Sequence, residues 1–394
     1  MRILFLMIAY QNIKENSSMY TDLAQEFVTN GHEVFVAVAN GPGKTEISLE
    51  GNINVLRVKT LELFNTSFIN KGLANILLPY QVINAIKKYF HDLKFDAIIT
   101  PTPPITYLDT IKKLKKKGNT KVYLILRDIF PQNAKDLKII KNPFIFRYFR
   151  SQEKKLYSVS DYIGCMSDGN ISYVEQHNPE VSHNKLHLLM NWKNVAEYID
   201  PYLTLKKKSG FENKFIALYG GNFGKPQQVE FILDLAKEMQ NLNDVVFLLI
   251  GEGTEKKRII DLVKKLKLNN VVIKDPLPRI QYQELVKICD IGLVNLNCRF
   301  TIPNIPSRTL SYWEAKIPIL AAIDNNTDYN KILEQSEGGL WSITGDLPAY
   351  KQNFEKLYYD KKLRASMGEK GYKYLKENCT TAKAFSIIQD KLLS

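Results

Sequence analysis

The sequence predicts an α/β protein made of two doubly wound domains. Three observations carry that reading. The chain has 394 residues, more than one ordinary domain holds. Short apolar runs alternate with helical patterns from Arg2 onward, and the alternation restarts at Phe215. Many of the runs end in glycine- or proline-rich loops, at the strand ends where such sheets bind ligands.

The first half opens with a βαβ unit: a buried strand at 2–9, a helix at 19–30 closed by Asn30-Gly31-His32, and a strand at 33–39. The intervening loop lacks GxGxxG, so no dinucleotide fingerprint is present. Asn16, Ser17 and Ser18 stand there to cap the helix or to touch a substrate. Residues 55–58 read as a strand, and 61–90 is more apolar than a surface helix needs. A strand at 97–100 runs into Pro101-Thr102-Pro103-Pro104, which forces an irregular loop. A helix with Lys112, Lys113, Lys115, Lys116 and Lys117 follows, then a strand at 121–126.

That strand runs directly into Arg127-Asp128. Opposite charges after a wholly apolar strand are costly unless they pair with each other or serve a ligand. Asp128 is therefore a candidate for acceptor-side chemistry, with an Arg127–Asp128 turn contact as the structural alternative. The helix at 142–157 interleaves aromatics with bases; it is expected to pack Phe144, Tyr148 and Leu156 into the core, with membrane contact as a second use. A strand at 161–166, a helix capped by Ser167-Asp168-Gly169 and a strand at 186–190 complete this half. The linker falls between Lys193 and Glu212.

In the second half, the strand at 215–219 enters Gly220-Gly221-Asn222-Phe223-Gly224-Lys225. Glycines let backbone N–H groups approach an anion, and Lys225 adds charge; a plain glycine turn also fits. The strand at 245–250 ends in Gly251-Glu252-Gly253, and the strand at 271–274 in Asp275-Pro276-Leu277. Between strands at 291–296 and 317–323 lies Pro306-Ser307-Arg308-Thr309. Pro306 suits the first helical position, Ser307 and Thr309 offer hydroxyls to orphan N–H groups, and Arg308 adds a cation. A phosphate site and a capped buried helix both fit that stretch. Residues 347–393 read as helices.

Composition narrows the function. Hydrophobic residues make up 45 %, enough for two cores. The cysteines, Cys165, Cys289, Cys298 and Cys379, have no CxxC spacing, so neither a zinc site nor a disulfide framework is expected. The apolar start passes into Gln11, Lys14 and Glu15 and reads as a strand, not a secretion signal. No apolar run reaches about 20 residues, so no membrane span is expected and the default location is cytoplasmic. The net charge is +13, and residues 71–155 alone carry +12. That patch suits nucleic acid or an anionic membrane surface, or is simply a solvated basic face. No nucleic-acid motif accompanies it.

Taken together, these motifs resemble a retaining glycosyltransferase of family 4, with the two-Rossmann-domain GT-B architecture. The likeness is greatest to the subgroup that builds bacterial O-antigen and capsular polysaccharide, which includes N-acetyl-L-fucosamine transferases. It rests on Arg127-Asp128-Ile129-Phe130-Pro131, Asn191-Trp192, Gly221 to Lys225, Gly251-Glu252-Gly253, the run from Asp290 to Val294, and Pro306-Ser307-Arg308 with Pro318. The resemblance implies an acceptor domain at 1–198, a nucleotide-sugar domain at 199–375 and a helix at 376–394 that returns to the first domain. It implies a UDP-sugar donor of N-acetylated hexosamine or deoxyhexosamine type. The acceptor would be a glycan on polyprenyl diphosphate, used at the inner face of the membrane, with no nucleic-acid partner. Gly221, Asn222, Lys225, Pro306, Ser307 and Arg308 would face the diphosphate, Gly251 and Glu252 would line the nucleotide pocket, and Leu277 would lie near the base. Ser17, Arg127 and Asp128 would face the acceptor, and Asp128, Lys225 and Arg308 would carry the chemistry. No Asp-x-Asp pair occurs, so no metal and no cofactor are expected.

The sequence departs from the family pattern at several points. Two expected glutamates are replaced by Pro303 and Ser311, Arg308 replaces a lysine, Arg127 a histidine and Gln132 a glutamate. A UDP-sugar epimerase of the same fold and a non-catalytic transferase subunit are the alternatives.

Overall fold

A computed structural model describes residues 1–12, 17–63, 68–116, 118–195 and 210–394, with backbone only at 68, 69 and 71. Asn16, Lys117 and most of the expected linker at 193–212 lie outside the described residues. The chain forms two compact units, Met1–Asn194 with Thr381–Ser394, and Val195–Thr380.

The first unit contains β1 (Arg2–Met7), α1 (Met19–Thr29), β2 (Glu33–Ala39), β3 (Glu46–Glu50), β4 (Ile53–Val58), α2 (Phe68–Tyr89) and β5 (Ala97–Pro101). It continues through α3 (Leu108–Lys115), β6 (Lys121–Leu126), α4 (Gln132–Asp136), α5 (Pro143–Val159), β7 (Tyr162–Cys165), α6 (Asp168–His177) and β8 (Leu186–Leu188). The strands lie in the order β3-β4-β2-β1-β5-β6-β7-β8. All neighbours pair in parallel except β3 and β4. The inner strands are apolar on both faces because helices cover both, the usual signature of a buried parallel sheet.

β3 is absent from the sequence reading. Its pairing with β4 closes on Gly51-Asn52, both at positive φ, a two-residue hairpin turn. A second difference concerns α5. Phe144 and Tyr148 are exposed, and the buried stripe is Glu153, Leu156 and Tyr157. Phe144 and Glu153 are nine residues apart, about two and a half turns, so they occupy opposite faces. Buried Glu153 is satisfied by Arg150 and Tyr157, each at 2.8 Å.

The second unit contains β9 (Phe215–Gly220), α7 (Glu230–Glu238), β10 (Val245–Ile250), α8 (Lys256–Lys265), β11 (Val271–Lys274), α9 (Arg279–Val286) and β12 (Ile291–Asn295). It ends with α10 (Thr309–Glu314), β13 (Ile319–Ile323), α11 (Tyr329–Ser336), β14 (Gly339–Ile343), α12 (Leu347–Tyr359) and α13 (Lys361–Asn378). Its sheet is parallel, in the order β11-β10-β9-β12-β13-β14. In both units the strand order reverses beside the first strand, which opens a crevice at the carboxyl ends.

The last helix, α14 (Thr381–Leu393), belongs to the first unit. It packs on α1, where Phe385 meets Phe27 edge-on with ring centroids 4.8 Å apart. Among the described residues, no helix is long and apolar enough to cross a membrane.

His187 on β8 is bonded to the Tyr123 hydroxyl at 2.6 Å. Burial, aided by Lys391, pushes its pKa down from 6.5 to about 4. The unfolded chain therefore takes up a proton below pH 6.5 that the folded site refuses until about pH 4. Stability should fall as pH drops through that window, and His187→Gln should flatten this part of the slope in urea melts. An unchanged slope would mean that His187 is not neutral in the fold.

Candidate functional site

The glycine-rich loops after β9 and β10 meet at the crevice of the second unit. A Cβ on Gly251 would stand 1.7 Å from the carbonyl oxygen of Gly221, so only glycine allows these backbones to touch. The Gly221 N–H donates to Ile250 O at 2.9 Å, and the Phe223 N–H to Glu252 O at 2.8 Å. These donors, expected to face an anion, are spent on joining the two loops.

The joined loops line an open pocket of about 340 Å³. The sequence-predicted Gly221, Asn222, Gly251, Glu252, Leu277 and Arg308 come together here. Tyr282 and Ser311 join them, and neither was read from the sequence as a site residue. Tyr282 carried no local signal beyond being aromatic; α9 brings it against Gly220, where an added Cβ would meet its hydroxyl at 1.9 Å. Ser311 occupies one of the two expected glutamate positions. Lys225, Pro306 and Ser307 are not in this lining; Lys225 and Ser307 are exposed.

Arg308 is the charged centre of the pocket. Its guanidinium carbon lies 4.5 Å from the centre of the Tyr219 ring and would be 3.1 Å from a Cβ on Gly221. Among the described residues no carboxylate pairs with it, and its buried Nη1 has no hydrogen-bond partner. Tyr312 fixes the wall behind it: its hydroxyl accepts from the Gly220 N–H at 3.0 Å and donates to Leu293 O at 3.3 Å. A desolvated cation without a counter-charge is costly, and an anionic ligand would relieve that cost.

The helix start beside Arg308 differs from the expectation. α10 begins at Thr309, so Pro306 is not its first residue. The N–H groups of Thr309 and Leu310 donate to the carbonyls of Pro306 and Ser307 at 3.4 and 3.2 Å. The Thr309 hydroxyl is bonded to Tyr329 in the core at 2.5 Å. Two of the N–H groups expected to be open are thus taken by carbonyls of the same turn, and Arg308 adds a cation beside it.

In the first unit, Arg127 and Asp128 follow β6. The Thr102 hydroxyl accepts from both of their N–H groups, at 3.1 and 3.3 Å, and donates to Asp128 O at 3.0 Å. Arg127 does not close a salt bridge with Asp128; its guanidinium reaches Met19 at the start of α1. Trp192 anchors the same point by donating to Met19 O at 2.7 Å. Desolvation raises the pKa of Asp128, and Arg127 pulls it down. Its carboxylate has no hydrogen-bond partner among the described residues. Ser18 caps α1, and Ser17 lies just before that cap. No three His, Cys, Asp or Glu side chains among the described residues form a metal-ligand set.

Comparison with known proteins gives the class. Residues 203–374 match the family of glycosyl transferases group 1. A probable glycosyltransferase, WbjE of Pseudomonas aeruginosa, is 24 % identical over 292 residues, 71 % of this chain and 70 % of that protein. Sucrose-phosphate synthase from Thermosynechococcus elongatus matches 99 % of this chain and 98 % of its own, with TM-score 0.80 at 13 % identity. Anabaena HepE, solved in complex with UDP, matches along 100 % of both chains, with TM-score 0.71 at 13 % identity. The two-sheet α/β fold is of the GT-B type, and the stretch that matches the group 1 glycosyl transferases lies within the second unit.

Gly251→Ala should cost about 3 kcal/mol, because the added methyl drives two backbones apart. The readout is a fall in melting temperature of several degrees. An unshifted melt would mean that the loops part freely.

Proposed function

We propose that the protein transfers a sugar from a UDP-sugar to a lipid-linked glycan, with retention of configuration. The observation that carries the donor half is Arg308, whose guanidinium has a buried, unpartnered nitrogen and no counter-charge among the described residues, in a pocket at the carboxyl ends of β9, β10 and β11. Cleavage of a glycosyl–phosphate bond develops negative charge on the leaving diphosphate. A preorganised cation in a desolvated site stabilises that charge at little reorganisation cost. The choice of UDP is supported by the UDP complex of HepE, a protein of the same fold.

The proposed mechanism is front-face attack, in which the departing phosphate helps to take the acceptor proton. Asp128 is the acceptor-side group, since it is desolvated and its carboxylate is not hydrogen bonded among the described residues. No metal enters this scheme. The N-acetylated hexosamine or deoxyhexosamine donor, the polyprenyl diphosphate carrier and the role in capsule or O-antigen synthesis rest on the motif resemblance. They make the protein a peripheral enzyme at the inner face of the membrane. Pro303 and Ser311, standing where two glutamates are expected, favour a non-catalytic subunit as the second reading.

The test combines ligand binding with turnover. UDP should raise the melting temperature, because a ligand that binds only the folded state stabilises it. Arg308→Ala should remove most of that shift and lower transfer by about 10²-fold or more. Lys225→Ala should have the smaller effect, since its side chain lies outside the pocket lining. Absence of any UDP shift would sink the donor assignment. A UDP shift without hydrolysis or transfer from any UDP-sugar would favour the subunit.

A further inference from the structure

The first unit carries an apolar surface that its core does not use. Helix α2 buries Ala74, Leu78, Val82 and Ile86. A second stripe, Leu73, Ile76, Leu77 and Tyr80, runs at i, i+3, i+4 and i+7, each side chain 37–52 % exposed. A helix that only covers a sheet needs one apolar stripe. On α5, Phe144 and Tyr148 lie four residues apart and are 73 % and 47 % exposed.

These two helices are joined through a basic one. The chain moves along the sheet in one direction from β4 to β5, β6 and β7, so right-handed crossovers set α2, α3 and α5 on one face. Helix α3 packs against both α2 and α5. Its Lys112 and Lys113 are exposed, and Lys113 Nζ sits 5.0 Å from the Tyr80 ring. Arg147 is exposed between Phe144 and Tyr148, and Lys87 and Lys88 continue α2 beyond its apolar stripe. Asp109 is an exposed acid in the first turn of α3.

Protein interfaces are depleted in lysine. Helices that lie in a bilayer surface combine an apolar stripe with lysine and arginine beside it. We propose that α2, α3 and α5 form an insertion face for an anionic lipid bilayer. Leu73, Ile76, Leu77, Tyr80, Phe144 and Tyr148 enter the headgroup layer, and the lysines of α3 meet lipid phosphates. The inference deepens the membrane-side reading given above by naming the lipid-facing residues, and it stands on residues away from the Arg308 pocket.

Cosedimentation with vesicles of phosphatidylglycerol and phosphatidylcholine tests it. The wild type should bind these vesicles and should bind pure phosphatidylcholine less. Higher salt should weaken binding without abolishing it, since only the charged part is screened. The double variant Ile76→Asp, Phe144→Asp should bind about tenfold more weakly, because insertion strength follows buried apolar area. In a Phe144→Trp variant, lipids with brominated acyl chains should quench the added fluorescence. Undiminished binding by the double variant, or an added indole whose emission the brominated lipids leave unquenched, would overturn the proposal. So would a wild-type dimer that the double variant converts to monomer in ultracentrifugation, which would make the face a self-association surface. The UDP melting shift of the double variant is read alongside: its retention shows an intact fold, and its absence in the wild type would count against the donor assignment alone.

Discussion

An arginine with no carboxylate partner among the described residues is the constraint on which the second unit depends. Water is kept from one nitrogen of Arg308, and the ring of Tyr219 offers only part of the compensation that an acid would give. Nearby groups are arranged to keep the cation in place. Tyr312 ties the end of β9 to β12 through its hydroxyl. Gly221 leaves room for the guanidinium where a side chain would crowd it. Arginine suits this place better than lysine, since a planar cation stacks on an aromatic ring and presents several donors at once.

The two units place charge in different ways. In the second, the glycine loops are tied to each other by backbone bonds from Gly221 and Phe223, and Arg308 brings a cation beside them. In the first, a threonine hydroxyl holds the backbone of Arg127 and Asp128, while Arg127 turns away to Met19. Asp128 is thereby left between two opposed influences, burial that raises its pKa and the nearby Arg127 that lowers it. Each device depends on a loop at the carboxyl end of a parallel strand, where the chain is free to vary without disturbing the ladder.

Most of the fold was legible because parallel strands buried on both faces leave continuous apolar runs. β2, β6 and β10 could be bounded directly from those runs. β3 was not, because it is a half-exposed edge strand whose only announcement is the Gly51-Asn52 turn. The phase of α5 was misjudged because aromatics suggested a core face, whereas the buried stripe contains the acid Glu153. The pocket was legible where glycine and arginine mark it. Tyr282 was not, since only the packing of α9 brings it there. The start of α10 differed because carbonyls of Pro306 and Ser307 take up N–H groups that hydroxyls were expected to cap.

The return of α14 to the first unit has a consequence for how the protein is made. Phe27 in α1 finds its aromatic partner in Phe385, which leaves the ribosome after all of the second unit. Domains ordinarily fold in the order of their synthesis. Here the amino-terminal unit is made without the helix that packs on α1 and beside β6, while the second unit is one continuous segment. Residues Thr381–Ser394 thus complete a unit whose other segments are made well before them.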